Sequence, residues 1–248
     1  MRVNKTLRIA TFNIHKGVSS FNARLMLHQQ RELIRHLHAD LVFLQEVRGL
    51  HDRHNSLTTG GQYEFLADTI WPDFAYGKNG VRSDGDYGNA ILSKYPIASW
   101  ENEDISAHSS EKRGLLHCEI AIPGWEQHLH CICVHLGLFG HWRHQQLAAL
   151  RARIQSMVPA GSPLIIAGDF NDWGQKIGDS LAGNLNLREV FEHNTGKPAR
   201  SFPSFMPLFR LDRIYTRGFH IQHSQVHGGP RFATMSDHAA LSAVLTRL

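Results

Sequence analysis

PLIIAGDFNDW, residues 163 to 173, runs apolar from Leu164 to Ala167 and then sets down Asp169, Asn171 and Asp172 in quick succession. A single carboxylate at such a point is explained by capping, because Asp accepts hydrogen bonds from free backbone N–H groups at a helix start. The reading changes if carboxylates and amides from distant segments also stand at strand ends. Such a group is stable together only around a cation.

Working outward, strand-like runs recur at 7–12, 41–45, 89–93, 114–122, 129–136, 164–167, 211–216, 219–227 and 239–246. Helical spacing occupies roughly 23–38 and 141–157, and shorter helices are expected near 61–71 and 174–193. The short turn between 114–122 and 129–136 predicts a hairpin. Together the pattern predicts an α/β (α+β) fold of two mixed sheets packed together with helices outside, not a purely parallel wound sheet. No repeat, low-complexity tract or Gly/Ser linker interrupts residues 1–248, so one domain is expected.

The chain has 248 residues, 42% of them hydrophobic, enough for a sizeable core. Lys and Arg number 26 against 22 Asp and Glu, a net charge of +4 that suits an anionic partner without demanding one. Cys118, Cys131 and Cys133 all lie in strand-like apolar runs and read as core filling, not as a disulfide framework or metal site. The start MRVNKTLRIATFN enters a strand pattern directly, and there is no run of 18 apolar residues. A soluble, cytoplasmic and monomeric protein is the expectation.

Polar residues cluster at the strand ends. Asn13 follows 7–12, Glu46 follows 41–45, and His135 lies near the end of 129–136. Asp169 and Asn171 follow 164–167, Asp212 begins 211–216, and Asp237 and His238 precede 239–246. Loops at one rim of stacked sheets are held rigidly by the strands, which suits a site. The donors are mostly hard oxygens, a set that fits Mg²⁺ or Mn²⁺ better than Zn²⁺.

TFNIH (11–15), LVFLQEVR (41–48), GNAILSKYP (88–96), VHL (134–136), GDFN (168–171), LDRIY (211–215) and SDH (236–238) occur in the order found in the endonuclease/exonuclease/phosphatase superfamily. The chain resembles its pancreatic deoxyribonuclease-like branch over nearly its whole length. The resemblance implies a four-layer α/β/β/α sandwich with the active site at one rim. It also implies Glu46, Asn13 and Asp237 on the metal side, and Asp169 and Asn171 orienting the attacking water and holding phosphate oxygens. Asp212 and His238 would be a carboxylate–imidazole pair, His135 the second histidine, and Arg113 a phosphate contact. Asp86 is the candidate carboxylate partner of His135.

The implied activity is metal-dependent phosphodiester hydrolysis, with Mg²⁺ as cofactor and Mn²⁺ able to substitute. The substrate is expected to be a nucleic acid, as for a nuclease or DNA phosphodiesterase. A phospholipid or small phosphoester of the inositol phosphate type is the alternative, and a non-catalytic binding module a third reading. KPARSFPSFMPLFR, residues 197–210, reads either as a loop packed on the rim or as an apolar wall beside the leaving group.

Overall fold

Leu164–Asp169 form a strand in which all six side chains are buried. Successive side chains in a strand point to opposite faces, so this strand must be covered on both sides. The computed structural model, which describes residues 5–19, 24–49, 60–68, 70–82, 85–174, 177, 181, 185–229 and 232–248, shows what covers it. Ile165 and Ala167 join a core that also takes Ile9, Phe43, Ile91 and Leu241, while Leu164 and Ile166 join a second core with Leu147, Leu150 and Ile154.

Twelve strands are described. They are β1 (Thr6–Asn13), β2 (Leu41–Arg48), β3 (Asp73–Arg82), β4 (Gly85–Ser93), β5 (Ile97–Asp104), β6 (Gly114–Ile120), β7 (Leu129–His135), β8 (Leu164–Asp169), β9 (Arg188–Glu189), β10 (Asp212–Arg217), β11 (Phe219–His227) and β12 (Ala240–Arg247). They form two six-stranded sheets, ordered β11-β12-β1-β2-β4-β3 and β5-β6-β7-β8-β10-β9. Each sheet is mixed: β1 and β2 run parallel in the first, β7 and β8 in the second, and the remaining pairings are antiparallel.

Helix α1 (Leu27–His36) and helix α2 (Gln62–Ala67) cover the outer face of the first sheet. There Leu33, Ile34 and Leu66 meet Ala10, Phe12, Val42 and Leu44. Helix α3 (Gly140–Met157) covers the second sheet, and the short α4 (Val190–Thr195) adds Val190 and Phe191 to the inter-sheet core. The architecture is the expected α/β/β/α sandwich. All three cysteines are free and buried in the layer between the sheets.

Three strands were not expected from the sequence. β3 carries two glycines and little alternation, β5 is largely exposed along its length, and β9 has only two residues. The helix expected near 174–193 is corrected: 188–189 are strand and only 190–195 are described as helix beyond it, while 175, 176, 178–180 and 182–184 lie outside the described residues.

The topology brings the polar strand ends to one rim. β7 and β8 are parallel, so His135 and Asp169 are register partners, and β10 runs antiparallel with Asp212 opposite Asp169. In the first sheet β12 begins where β1 ends, since Leu241 pairs with Thr11. Asp237 and His238 therefore lie beside Asn13.

Candidate active site

Local backbone features aim the side chains. In β2 the pairing with β4 shifts register between Leu44 and Val47, and within that bulge Glu46 adopts a positive φ of 54°. A bulge redirects a side chain that regular alternation would place on a sheet face. Gly168, at φ 148°, allows the close approach of β7 to β8: a Cβ there would lie 2.0 Å from the Val134 carbonyl oxygen. Asn171 follows in the left-handed region at φ 48°, a conformation Asn tolerates better than most residues.

Asp169 is the hub. Its Oδ1 accepts the Asn171 N–H at 2.9 Å and its Oδ2 accepts the Asn13 side-chain amide at 3.1 Å. The Nε2 atoms of His135 and His238 lie 3.5 and 3.7 Å from Oδ2. His238 Nδ1 in turn lies 2.8 Å from Asp212 Oδ2. Asp169, Asp212 and His238 can bring one ligand atom each within 4.8 Å of one another, and all three are buried.

Charge in this cluster is set by mutual contact. Burial alone lowers the His238 pKa, but the Asp212 and Asp169 carboxylates outweigh it and raise the value well above the usual imidazole range. Burial and the Asp212 charge push Asp169 up, against the pull of His238 and of the Asn171 and Asn13 hydrogen bonds, so its carboxyl is raised toward neutrality. His135 goes the other way: burial, then the positive charges of Arg113, His238 and Lys16, hold it neutral.

The metal-side residues stand next to this cluster. The Asn13 side-chain oxygen accepts the His15 N–H at 3.1 Å, which fixes the amide so that its nitrogen meets Asp169. Asp237 Oδ1 is 2.9 Å from His15 Nδ1, and burial's upward push on its carboxyl is overcome by that hydrogen bond and by His238, leaving the pKa lowered. Glu46 Oε2 is buried without a hydrogen-bond partner, the Lys16 ammonium lying 3.6 Å away. Asp212 Oδ1 is likewise buried and unpartnered. A buried carboxylate oxygen without a donor among the described residues, as Asp212 Oδ1 is and as Glu46 Oε2 is but for the Lys16 ammonium, fits a divalent cation, because such atoms are costly unless a charge or donor meets them.

The segment after His135 is tied down along its backbone. The Leu136 carbonyl accepts from Asn171 Nδ2 at 2.8 Å and from Arg113 Nε at 3.1 Å. Gln146 accepts the Gly137 N–H, Glu111 accepts the Leu138 N–H, and Arg143 donates to the Gly137 and Leu138 carbonyls. Arg113 also pairs with Glu111 at 2.9 Å, so several of its donors are committed to the protein.

The structure thus brings Asn13, His135, Asp169, Asn171, Asp212, Asp237 and His238 to one rim, with Glu46 on the adjoining strand end. One expectation is corrected. Asp86 does not pair with His135: its carboxylate accepts the Tyr76 hydroxyl at 2.6 Å and pairs with Lys78, and the carboxylate beside His135 is Asp169. Asp172 is absorbed elsewhere, in a buried pair with Arg213 at 3.1 Å. Sequence reasoning missed His15 and Lys16 as side chains of the site. It also missed Ser236, whose hydroxyl donates to the Asn13 carbonyl at 2.7 Å and accepts the His238 N–H. All three lie within or beside the short motifs already singled out.

The 197–210 segment packs on this rim and also faces it. The ring of Phe202 lies 5.0 Å from that of His238, and Trp173 packs against both Phe202 and Phe209.

Comparison with known proteins bears on the fold and the family. YbhP of Escherichia coli (strain K12) is 44% identical over 242 residues, covering 96% of this chain and 95% of that protein. An endonuclease/exonuclease/phosphatase structure from Beutenbergia cavernae superposes with a TM-score of 0.79 at 20% identity, over 98% of this chain and 72% of that one. The mannosyl-6-phosphatase Bt3783 of Bacteroides thetaiotaomicron superposes with a TM-score of 0.72 at 17% identity, over 97% and 99% of the two chains. The model of the Endonuclease/Exonuclease/phosphatase family matches residues 10–238, and the chain belongs to that family.

Proposed function

We propose that this protein is a divalent-metal-dependent hydrolase of phosphodiester bonds. The observation that carries the reading is the buried Asp212–His238–Asp169 relay, in which one imidazole is held cationic by two carboxylates beside a second imidazole, that of His135, which is held neutral. Glu46 and Asp237, with the Asn13 amide beside them, would hold Mg²⁺ or Mn²⁺, and such an ion neutralises charge that builds on a phosphoryl oxygen.

The chain's own residues have separable tasks. Asp169, its affinity for a proton raised by burial, accepts the proton of the attacking water, and Asn13 and Asn171 fix the orientation of that carboxylate. Asp212 holds the His238 ring through Nδ1, leaving Nε2 to donate to the phosphoryl group. Neutral His135 supplies a further hydrogen bond at the same point. Arg113 holds the Leu136 carbonyl in place and adds positive charge beneath the anionic substrate, the phosphate-contact role being a direct extension of that position.

Nucleic acid is one phosphodiester class that this reading admits, supported by the motif order and the net charge of +4. A phospholipid or small phosphoester is the second, supported by the phosphatase among the structural neighbours and by the apolar side chains standing at the mouth. The test is hydrolysis of bis-p-nitrophenyl phosphate by purified protein with Mg²⁺ or Mn²⁺. Turnover that disappears in excess chelator and returns with metal is expected. Full activity in chelator, with metal content checked, would overturn the metal-dependent reading.

A further inference from the structure

More than half of the large apolar side chains that stand exposed among the described residues belong to two segments at the mouth of the candidate site, 138–139 and 205–209, together with Trp173 between them in sequence. Phe139 is 56% exposed, Phe205 61% and Met206 54%. Isolated exposed apolar side chains are ordinary, but a concentration of them around one functional rim is not.

Both segments are held rigid. Leu138 and Phe139 leave the loop whose backbone groups are bonded to Arg113, Asn171, Gln146, Glu111 and Arg143. Residues 202–209 form a tight hairpin, with Leu208 and Phe209 N–H groups donating to the Phe202 carbonyl. Its start is fastened to the site, because the Ser204 N–H donates to the Asp237 carbonyl at 2.7 Å and the Ser204 hydroxyl to that of Ser236. A flexible loop could fold such side chains away. These loops hold theirs out.

Along the chain that carries them the charge has one sign, and Glu111, which accepts the Leu138 N–H, is paired with Arg113. Neither 127–168 nor 193–211 contains a single Asp or Glu, while Arg143, Arg151, Arg153, Lys197, Arg200 and Arg210 lie within them. Apolar tips interleaved with cations complement the surface of an anionic bilayer, where the tips enter the headgroup boundary and the cations meet lipid phosphates. A nucleic-acid groove fits less well. Three of the five apolar tips, Leu138, Met206 and Leu208, offer no ring on which a base can stack, and the Trp173 and Phe202 rings are spent edge-to-face on each other.

We propose that the candidate site works at an anionic phospholipid surface, docked by Leu138, Phe139, Phe205, Met206 and Leu208, so that its substrate is a phosphoester headgroup carried in that surface. This rests on the phosphoesterase reading for its substrate but not for its binding. The test is flotation of the full chain with vesicles of phosphatidylglycerol and phosphatidylcholine, against vesicles of phosphatidylcholine alone. A variant carrying Leu138→Ser, Phe139→Ser, Phe205→Ser, Met206→Ser and Leu208→Ser is run in parallel, and both proteins are assayed on soluble bis-p-nitrophenyl phosphate.

Wild type should float at least about tenfold more with the anionic vesicles, the variant should lose that gain, and their turnover of the soluble ester should match. A circular dichroism spectrum and melting curve like wild type establish that the variant is folded, and the paired variant Phe205→Ser and Met206→Ser serves the same comparison if the larger one is not. Equal flotation of wild type with both vesicle types, undiminished flotation of the folded variants, or displacement from vesicles by single-stranded DNA with a steep salt dependence would overturn the proposal. Absence of soluble-ester turnover with vesicle binding intact would instead count against the phosphoesterase reading alone.

Discussion

Burial works against a charged imidazole and in favour of a neutral carboxylic acid, so His238 stays charged only through Asp212 and Asp169, while the ionised form of Asp169 is supported by His238 and by the Asn171 and Asn13 hydrogen bonds. That interdependence has a kinetic signature. His238→Ala and Asp212→Asn should each lower the single-turnover rate by about 10²-fold or more, the range of a positioned acid or base. The double variant should be little slower than either single one, because residues that act as a unit do not contribute additively. Additive losses, or a wild-type rate for His238→Ala, would separate the pair. At this scale the motifs pointed to the hub residues directly, since TFNIH, GDFN and SDH each end a strand or begin one. His15 and Lys16 escaped because their contacts depend on a left-handed turn, φ 46° and 58°, whose only visible trace in the sequence is the Gly17 that follows. The wrong partner assigned to His135 has a similar cause: Asp86 is near the motif GNAILSKYP in sequence, but Tyr76 and Lys78 on the neighbouring strand take its carboxylate first.

Each element carries support for the site that its own residues do not advertise. Beneath the rim, Asp172 on the loop after β8 pairs with Arg213 on β10, both almost wholly buried, and the same Asp172 oxygen accepts the Ile177 N–H at 3.2 Å. Among the described residues Arg213 Nε and Nη1 have no hydrogen-bond partner, so the guanidinium has no reserve contact there. Asp172→Ala should therefore cost about 3–5 kcal/mol of stability, the usual penalty for stranding a buried charge. Replacing both partners together, Asp172→Ala with Arg213→Met, should recover much of the loss, as read from denaturant midpoints; a fully additive result would show that the pair is not the source. Strands buried on both faces were legible because their apolar runs are continuous, as in β7 and β8, and long helices were legible from Leu147, Leu150 and Ile154. Of the edge strands β11 was legible at 219–227, but β3, β5 and the two-residue β9 were not. β3 lies at one end of its sheet and β5 at one end of the other, and a strand with a solvent-facing edge and little buried surface needs no hydrophobic alternation to form.

Across the whole molecule the site is divided between the two sheets. Asn13, Glu46, Asp237 and His238 come from β1, β2 and the approach to β12, while His135, Asp169 and Asp212 come from β7, β8 and β10. The Asn13–Asp169 and His238–Asp212 bonds cross from one sheet to the other, as do Asn89 to the Gly114 carbonyl and Gln45 to the Cys133 sulfur. The rim is consequently a gauge of the gap between two slabs. A wedge driven into the seam well below it should open that gauge: Ala167→Leu, on the inner face of β8, should cost about 1–3 kcal/mol in stability as an overpacked core residue. The effect on turnover should be larger than that figure suggests, because a displacement of about 1 Å at reacting groups can cost on the order of 10²-fold. A variant that stays folded and melts roughly 2–12 °C below wild type yet turns over far more slowly, with metal affinity retained, is the expected outcome, and wild-type turnover would mean the slabs yield without parting. In mechanical terms the protein is a pair of jaws whose hinge is its hydrophobic core, and its catalytic tolerance is set by how stiffly that core keeps the jaws apart.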